Sequence, residues 1–297
     1  MNDMKNITKS EKVYIIIAHI LLILLAFVTI IPLFSVITTS FVSSSEIARR
    51  GQFILWPQRF DTSAYILLFK TDKIYTGYMN TLIVVSAGTT LSMLFTICLA
   101  YPLSKKDLRF RNGMLAIVFF TMLFSGGMVP NYILVKELTL LNTRWALILP
   151  YLCNTWNMLL MRNFFYAIPN SLEEAAELDG ANQFQTLIRV ILPLSLPSIA
   201  TIAMFYGVSY WNAWFPGVMY LTKNSMLPIQ NIMRSIIISA SGQLEDMGTL
   251  MDEIKEVPTS HTLKCASIVI STLPILCVYP YIQKYFVKGV MVGSVKG

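Results

Sequence analysis

Charged residues interrupt this chain in such a way that six long uncharged runs remain between them. These runs are predominantly apolar, and they cover residues 13–45, 74–104, 112–135, 145–161, 190–222 and 265–283. A helix needs about 20 apolar residues to cross a bilayer, and the runs reach or approach that length. The shortest run, 145–161, spans only if Arg144 or Arg162 extends its charged end to the interface. The pattern therefore predicts an all-α integral membrane protein with six transmembrane helices.

The composition supports this class and excludes others. Hydrophobic residues make up 55% of the chain and charged residues only 13%, whereas a soluble domain has roughly 25% charged residues. The net charge of +7 is spread over the loops and forms no basic stripe with interleaved aromatic residues. We therefore expect membrane lipid, and no nucleic acid, among the partners. The four cysteines have no paired spacing, which predicts neither a disulfide framework nor a metal site.

The short connection 103–112, LSKKDLRFRN, orients the predicted helices. It holds four cations within ten residues, and short loops rich in Lys and Arg lie on the cytoplasmic side. Six helices place both termini on one side of the membrane, so both termini and the segment 162–189 are predicted to be cytoplasmic. The segments 46–73 and 223–264 then lie outside, as amphipathic surface pieces.

One predicted cytoplasmic segment, SLEEAAELDGAN at 171–182, is unusually acidic for this chain. Ser171 and Glu174 have the spacing of a capping box, and Gly180 suits the left-handed residue that ends a helix. A helix of about two turns is predicted, with an apolar strip of Leu172, Ala175 and Ala176. An isolated helix this short is marginal in water, so it needs a partner surface. That surface is either the chain's own helix bundle or another protein.

The residues that follow give this segment a more specific pattern. Glu174-Ala175-Ala176 is followed after three residues by Gly180, and after nine more by Val190 and then Leu192-Pro193. This pattern resembles the EAA signature of permease subunits of binding-protein-dependent ABC importers, with Val190 where isoleucine is usual. Residues 126–150 and 154–181 resemble the carbohydrate-uptake permeases, in particular the LplC-like and YtcP-like branch. The resemblance extends from about Tyr75 to Tyr285.

The resemblance implies the type I ABC importer permease fold and a division of the chain. Residues 1–74 would form a cytoplasmic tail, the first transmembrane helix and an outer loop. Residues 75–285 would form the permease core with a coupling helix at about 171–189, and 286–297 a cytoplasmic tail. The role of docking on an ATPase would belong to five residues of the coupling helix: Glu174, Ala175, Ala176, Asp179 and Gly180.

The resemblance also implies the partners. They would be a second permease subunit, two ATPase subunits and an extracellular solute-binding protein, assembled in the bacterial cytoplasmic membrane. The sequence has no G-x-x-x-x-G-K-[ST] motif for binding phosphate. We therefore expect ATP and Mg to be bound by the partner ATPase subunits, and this chain to be a transport subunit that is not an enzyme and binds no cofactor.

Polar and aromatic side chains within the predicted helices are candidates for the substrate pathway, because sugars bind through hydrogen bonds and ring stacking. One cluster lies in the fourth helix and one in the fifth; their members are Asn154, Trp156, Asn157, Tyr206, Tyr210, Trp211, Asn212 and Trp214. Interhelical hydrogen bonds and an interfacial aromatic belt are the alternative roles. The outer segment 223–264 is the candidate contact for the solute-binding protein.

The predicted function is thus the ATP-driven import of an oligosaccharide, with acidic fragments of polysaccharides among the candidates. A permease of the same architecture for peptides, phosphate or amino acids is the first alternative. A channel or a membrane-embedded enzyme is the second. The enzyme alternative lacks both an H-E-x-x-H and a G-x-S-x-G motif.

Overall fold

In a computed structural model of the protein, residues 9–242 and 258–294 are described. Every regular element in these two ranges is helical, which confirms the predicted all-α class. The described residues form two compact units. The first contains the chain up to Thr71 and the described part of Ser235–Ser271, and the second contains Asp72–Arg234 and the chain from Thr272 onward.

The first unit begins with a long apolar helix and continues with short helices. Their bounds are α1 (Lys9–Thr39), α2 (Ser44–Arg50) and α3 (Ser63–Phe69). Large apolar side chains are exposed all around α1, as expected of a helix surrounded by lipid. The residues after α1 form a small core of Val42, Ile47 and Ile54. This unit also holds a buried carboxylate, Glu46, which pairs with Arg50 at 2.5 Å and accepts the backbone N–H of Gln58 at 3.0 Å.

The second unit is built around one long helix, α4 (Asp72–Ser104). The helices that follow are α5 (Arg111–Leu123), α6 (Met128–Glu137), α7 (Trp145–Ile148), α8 (Thr155–Tyr166), α9 (Asn170–Leu178), α10 (Gln183–Thr186), α11 (Leu192–Leu194), α12 (Leu196–Trp211) and α13 (Trp214–Tyr220). Two more, α14 (Ile229–Gly242) and α15 (Ser260–Ser294), contribute residues to both units. Helix α4 packs against α8 and α12, and the core between them includes Val84, Met161 and Ile202.

The number of spans is less simple than the uncharged runs predicted. Within the described residues, three helices are long and apolar enough to cross a membrane: Lys12–Thr39, Asp72–Ser104 and Ser260–Val278. Two bent pairs qualify as well if each pair is one span: α5 with α6, bent by 108°, and Gln183–Leu194 with α12, bent by 83°. The predicted fourth span is divided into α7, a 3-10 turn at Leu149–Tyr151 and α8. The count of six therefore stays a prediction.

Gly88 on α4 leaves room for the ring of Tyr210 from α12. A Cβ atom built on Gly88 would lie 2.8 Å from the ring of Tyr210. In contrast, a Cβ atom on Gly207 of α12 would meet Thr89 at an ordinary 3.7 Å. Small residues at helix contacts are typical of membrane proteins, in which packing and hydrogen bonds hold helices together.

A sharp bend separates α12 from the helical segment before it. This segment contains a π-helical stretch, Leu187–Ile191, and ends in α11. Pro193 and Pro197 flank the bend at Ser195, and neither has a backbone N–H to continue a helical hydrogen-bond ladder. The 83° change of direction therefore has an identifiable cause in the sequence.

Candidate functional site

The acidic helix α9 begins two residues earlier than a cap at Ser171 predicts. It runs from Asn170, and the N-cap residue Pro169 makes no side-chain capping bond. The predicted capping box of Ser171 and Glu174 is therefore wrong, because Ser171 already lies inside the helix. A true capping box starts the next helix, where Asn182 and Gln185 exchange side-chain and backbone hydrogen bonds at 2.9 Å.

The end of α9 is as predicted. Gly180 has φ +81°, a left-handed conformation that side chains other than those of Gly and Asn rarely adopt. The N–H of Gly180 donates to Glu177 O at 2.9 Å, and that of Ala181 donates to Ala176 O at 2.9 Å. These bonds satisfy the last carbonyl groups of the helix and turn the chain toward α10.

Most of the surface of α9 is uncovered by the rest of this chain. Ala176 is the only buried residue of the helix. Glu174, Ala175, Asp179 and Gly180, the other four residues predicted to dock on an ATPase, are exposed. Two leucines are exposed as well: Leu172 by 42% and Leu178 by 89%. The helix thus presents carboxylates next to exposed apolar side chains.

The inner side of α9 faces the basic connection between α4 and α5. Lys105 of this connection forms an ion pair with Glu173. The two segments enclose a cavity of 370 Å³, whose lining includes Glu174 and Glu177. Burial lowers the pKa of Lys105, although the charges of Glu177 and Asp107 oppose this shift. The connection predicted to be cytoplasmic is therefore the surface on which α9 rests.

A second cavity, of 380 Å³, lies among α8, α12 and the segment that joins α7 to α8. Four of the eight predicted pathway residues line it: Asn154, Asn157, Tyr206 and Tyr210. Tyr206 and Tyr210 are four residues apart and therefore share one face of α12. Among the described residues that line this cavity, none is charged, and they include hydroxyl, amide and aromatic groups.

The hydroxyl groups of the two tyrosines bond to neighbouring helices. Tyr206 pairs with Thr96 of α4 at 2.7 Å and accepts the backbone N–H of Asn154 at 3.0 Å. Tyr210 pairs with Ser92 of α4 at 2.9 Å. The interhelical hydrogen bonds weighed as an alternative role are therefore present, and both tyrosines hold helices together while they line the cavity.

The other four predicted pathway residues lie elsewhere. Trp156 is 58% exposed and does not line the cavity. Trp211 lines a separate, apolar cavity of 510 Å³ beside Met204. Asn212 ends α12 with a bond from its Nδ2 to Val208 O at 3.0 Å. Trp214 begins α13, and the guanidinium group of Arg234 lies 3.8 Å from the centroid of its indole ring.

Comparison with known proteins decides the family. Residues 62–292 match the family described as the binding-protein-dependent transport system inner membrane component. The chain belongs to this family. It is 44% identical to the polygalacturonan/rhamnogalacturonan transport system permease protein YtcP of Bacillus subtilis (strain 168), over 93% of this chain and 96% of that protein. It is 41% identical to Protein LplC of the same organism, over 91% and 90% of the two chains.

A solved structure gives the same result. It is the crystal structure of a bacterial ABC transporter involved in the import of the acidic polysaccharide alginate. The match has a TM-score of 0.86 and 32% sequence identity, and it covers 95% of this chain and 100% of the other. The predicted fold and family are confirmed, and the chain is a membrane component of a binding-protein-dependent transport system.

The permease cavity also contains residues that sequence reasoning missed. Ser209 lies between Tyr206 and Tyr210 on α12, and Tyr151 and Phe215 are also part of the lining. Helical spacing could have found Ser209, because it lies three residues after Tyr206 and thus on the same side of the helix. Tyr151 lies in a 3-10 turn and Phe215 at the start of the short helix α13, and the sequence does not predict which way either segment faces.

Proposed function

We propose that this permease imports an oligosaccharide and that the cavity beside Tyr206 and Tyr210 forms part of its path. The observation that carries this proposal is the neutral lining of the cavity, with its amides, hydroxyls and rings. A pyranose ring offers hydroxyl groups for hydrogen bonds and C–H faces for aromatic contacts. The transport of polygalacturonan, rhamnogalacturonan and alginate named for the similar proteins supports a carbohydrate cargo.

The proposed contacts follow from the groups that are still available in the cavity. The hydroxyls of Tyr206 and Tyr210 already bond to α4, so these residues offer mainly their ring surfaces. Asn154, Asn157 and Ser209 offer the polar contacts. A carboxylate on an acidic sugar finds no cation in this lining. Its charge is then recognised by another part of the transporter. Trp156, Trp211, Asn212 and Trp214 stay predictions for the pathway.

We further propose that α9 docks on a separate ATPase subunit through Glu174, Ala175, Ala176, Asp179 and Gly180. The uncovered carboxylates and the exposed Leu178 support this role, since a short helix with such a surface needs a partner. The ATPase binds ATP and Mg, and this chain supplies no phosphate-binding loop.

The proposed assembly contains a second permease subunit, two ATPase subunits and an extracellular solute-binding protein. Both termini and α9 are cytoplasmic, and the segment 223–264 faces the solute-binding protein. Residues 243–257 of that segment lie outside the described residues. ATP-driven closure of the ATPase subunits would move α9 and change which side of the membrane the cavity faces, by rigid-body motion around a central site.

A charge reversal tests the docking role. Glu174→Lys should abolish co-purification of the ATPase subunits and ATP-dependent uptake, because it reverses an exposed charge at the contact. Glu137→Lys is the matched control, since Glu137 is an exposed glutamate at the end of α6. Unchanged assembly and uptake in Glu174→Lys would contradict the docking role.

The cargo is tested with the whole transporter and its solute-binding protein in proteoliposomes. Labelled oligogalacturonides, neutral oligosaccharides and peptides are offered with and without ATP. We expect ATP-dependent uptake of oligosaccharides only. Peptide uptake would support a permease for another solute, and transport without the ATPase would support a channel.

A further inference from the structure

Three cationic side chains converge on one exposed aromatic ring where α4, α5 and α8 end or begin. The Nζ atom of Lys106 lies 5.4 Å from the ring centroid of Tyr166, and the guanidinium carbons of Arg162 and Arg111 lie 5.2 and 5.8 Å from it. Tyr166 is itself 44% exposed. We call Lys106, Arg111, Arg162 and Tyr166 the cation cluster.

Carboxylates lie on the α9 side of this cluster, where Lys106 and Tyr166 share a cavity with Asp107, Glu174 and Glu177. Lys105, next to the cluster, forms an ion pair with Glu173, and the negative charges of Glu177 and Asp107 also stabilise its charge. In contrast, no described carboxylate lies within ion-pair distance of Lys106, Arg111 or Arg162. The Nε atom of Arg111 is buried and has no hydrogen-bond partner in the same part of the chain. A partly buried cation without a counter-charge in contact is costly, which favours an anion beside this cluster.

The surface beside the cluster indicates what carries that anion. Arg111 is the first residue of α5, and α5 has no buried residue. Its side chains Met114, Ile117 and Phe120 share one face and are exposed by 43%, 67% and 57%. An anionic headgroup at the cluster would therefore have apolar surface directly beside it for its acyl chains.

The turn before α5 adds to this arrangement. Phe110 is 72% exposed and has φ 63°, a left-handed conformation that is uncommon for an aromatic residue. The turn holds an aromatic side chain outward at the end of a membrane helix, where such side chains are enriched at the level of lipid headgroups.

We propose that the cation cluster binds the phosphate group of an anionic phospholipid, whose acyl chains lie along α5. Basic pockets between transmembrane helices bind such headgroups, and the phosphate would accept hydrogen bonds from the guanidinium groups of Arg111 and Arg162 and the ammonium group of Lys106. The site is separate from the cavity beside Tyr206, so it does not depend on which cargo is transported. It borders α9, because Lys106 and Tyr166 also line the 370 Å³ cavity that includes Glu174.

The test uses the assembled transporter, with its partner permease and ATPase subunits, in nanodiscs. One set contains phosphatidylcholine alone, a second contains phosphatidylcholine with phosphatidylglycerol, and a third contains phosphatidylcholine with inorganic phosphate in solution. Native mass spectrometry measures retained phosphatidylglycerol, and a thermal melt measures stabilisation. The wild type should retain phosphatidylglycerol and melt at a higher temperature in the second set.

The variant Lys106→Gln/Arg111→Gln removes two cations and should weaken retention by about fivefold for each cation. Lys136→Gln/Lys223→Gln removes the same charge from two exposed lysines elsewhere and should behave as the wild type. Arg111→Lys keeps the charge, so it should retain part of the lipid binding and shows whether loss reflects misfolding. Arg162 is left intact because its Nε donates to Leu103 O at 3.1 Å and caps α4.

Three results would overturn the proposal. The first is equal retention in the wild type and in Lys106→Gln/Arg111→Gln. The second is full stabilisation by inorganic phosphate, which would indicate a phosphate site without lipid. The third is that Lys106→Gln/Arg111→Gln loses the ATPase subunits but retains phosphatidylglycerol as the wild type does. That result would indicate that the cation cluster binds an acidic protein surface instead of a lipid. None of these measurements depends on uptake, so a failure of the cargo proposal leaves them unaffected.

Discussion

The cavity beside Tyr206 and the exposed helix α9 lie in the same compact unit but differ in whether their polar groups have partners within the chain. In the cavity wall, both tyrosine hydroxyls bond to α4. On α9, Glu174 and Asp179 are exposed, and Leu178 is uncovered. Inside a membrane, unsatisfied polar groups are costly, so the first region is closed upon itself. The second is incomplete without another molecule.

This difference predicts where substitutions act. A change in the cavity wall should alter the stability of the fold and the path of the cargo together. A change on α9 should leave the fold nearly unchanged and affect assembly with the ATPase.

The contact between α4 and α12 gives the largest expected effect. Gly88→Ala places a methyl group 2.8 Å from the ring of Tyr210, so the two helices must separate. Overpacking of this kind costs about 1–3 kcal/mol. Gly207→Ala adds the same methyl group at an ordinary contact and should change stability by less than about 0.5 kcal/mol. Thermal melts of the assembled transporter compare the two, and equal melting temperatures would show that the helices do not approach this closely.

The end of α9 gives the next effect. Gly180→Val introduces a β-branched residue at φ +81°, which costs about 1–2 kcal/mol locally and should reorient the helix end. Gly180→Asn is the matched control, because Asn tolerates this conformation. We expect Val, and not Asn, to reduce ATPase retention in pull-down experiments while the permease itself remains folded. A loss of folded permease in Gly180→Val would remove the distinction between the two regions.

The hydroxyl of Tyr206 tests the closed character of the cavity wall. Tyr206→Phe leaves Thr96 and the N–H of Asn154 without this partner, at a cost of about 1 kcal/mol. Tyr75→Phe removes a hydroxyl from a side chain that is 73% exposed and should have no effect. The melting temperature and the initial rate of uptake should fall only for Tyr206→Phe. If both variants behave as the wild type, this bond does not hold α4 and α12 together.

The smallest effect concerns Glu46 in the other compact unit. Like the hydroxyls of Tyr206 and Tyr210, the Glu46 carboxylate forms hydrogen bonds within the chain. Burial alone would raise the pKa of Glu46, but the N–H of Gln58, the Arg50 side chain and the backbone of Arg59 outweigh it. The pKa therefore lies below its ordinary value of 4.5. A lowered pKa means that this carboxylate stabilises the fold above the ordinary value and less as the pH falls below it.

Melting temperatures measured from neutral pH to below the ordinary carboxyl pKa test this dependence. Glu46→Gln should have a lower melting temperature than the wild type at neutral pH. Its melting temperature should fall less than that of the wild type as the solution is acidified. Glu137→Gln changes an exposed glutamate and should follow the wild type at every pH. Parallel curves for Glu46→Gln and the wild type would mean that the charge of Glu46 does not stabilise the fold.

The sequence was informative where a single residue type decides the local structure. Only Gly suits φ +81° well, so Gly180 predicted the end of α9 correctly. The predicted start of α9 was wrong because Ser171 and Glu174 have the spacing of a capping box whether or not the helix has already begun before Ser171. The uncharged run 145–161 predicted one continuous helix, and the break around Pro150 was missed. Apolar composition alone does not distinguish a continuous helix from short turns.

The cavity shows a second limit. Because of their residue types, Tyr206, Tyr210 and Trp211 were all predicted to line the substrate pathway. They differ in the direction in which their side chains face. Tyr206 and Tyr210 are one turn apart, whereas Trp211 points about 100° further around the helix and lines another cavity. Helical spacing predicts which residues share a face. It does not predict that this face is the one that meets α4, because that depends on the packing of distant segments.

The bend at Ser195 gives the segment from α10 to α12 the form of a lever with two arms. The first arm, Gln183–Leu194, is about 18 Å long and the second, α12, about 24 Å. Because the arms meet at 83°, a push on the first arm across its axis becomes a rotation of the second. For a rigid rotation about Ser195, the far end of α12 would travel about a third further than the end near α9. Tyr206 and Tyr210 lie on that longer arm, so the proposed docking at α9 would rotate the cavity wall.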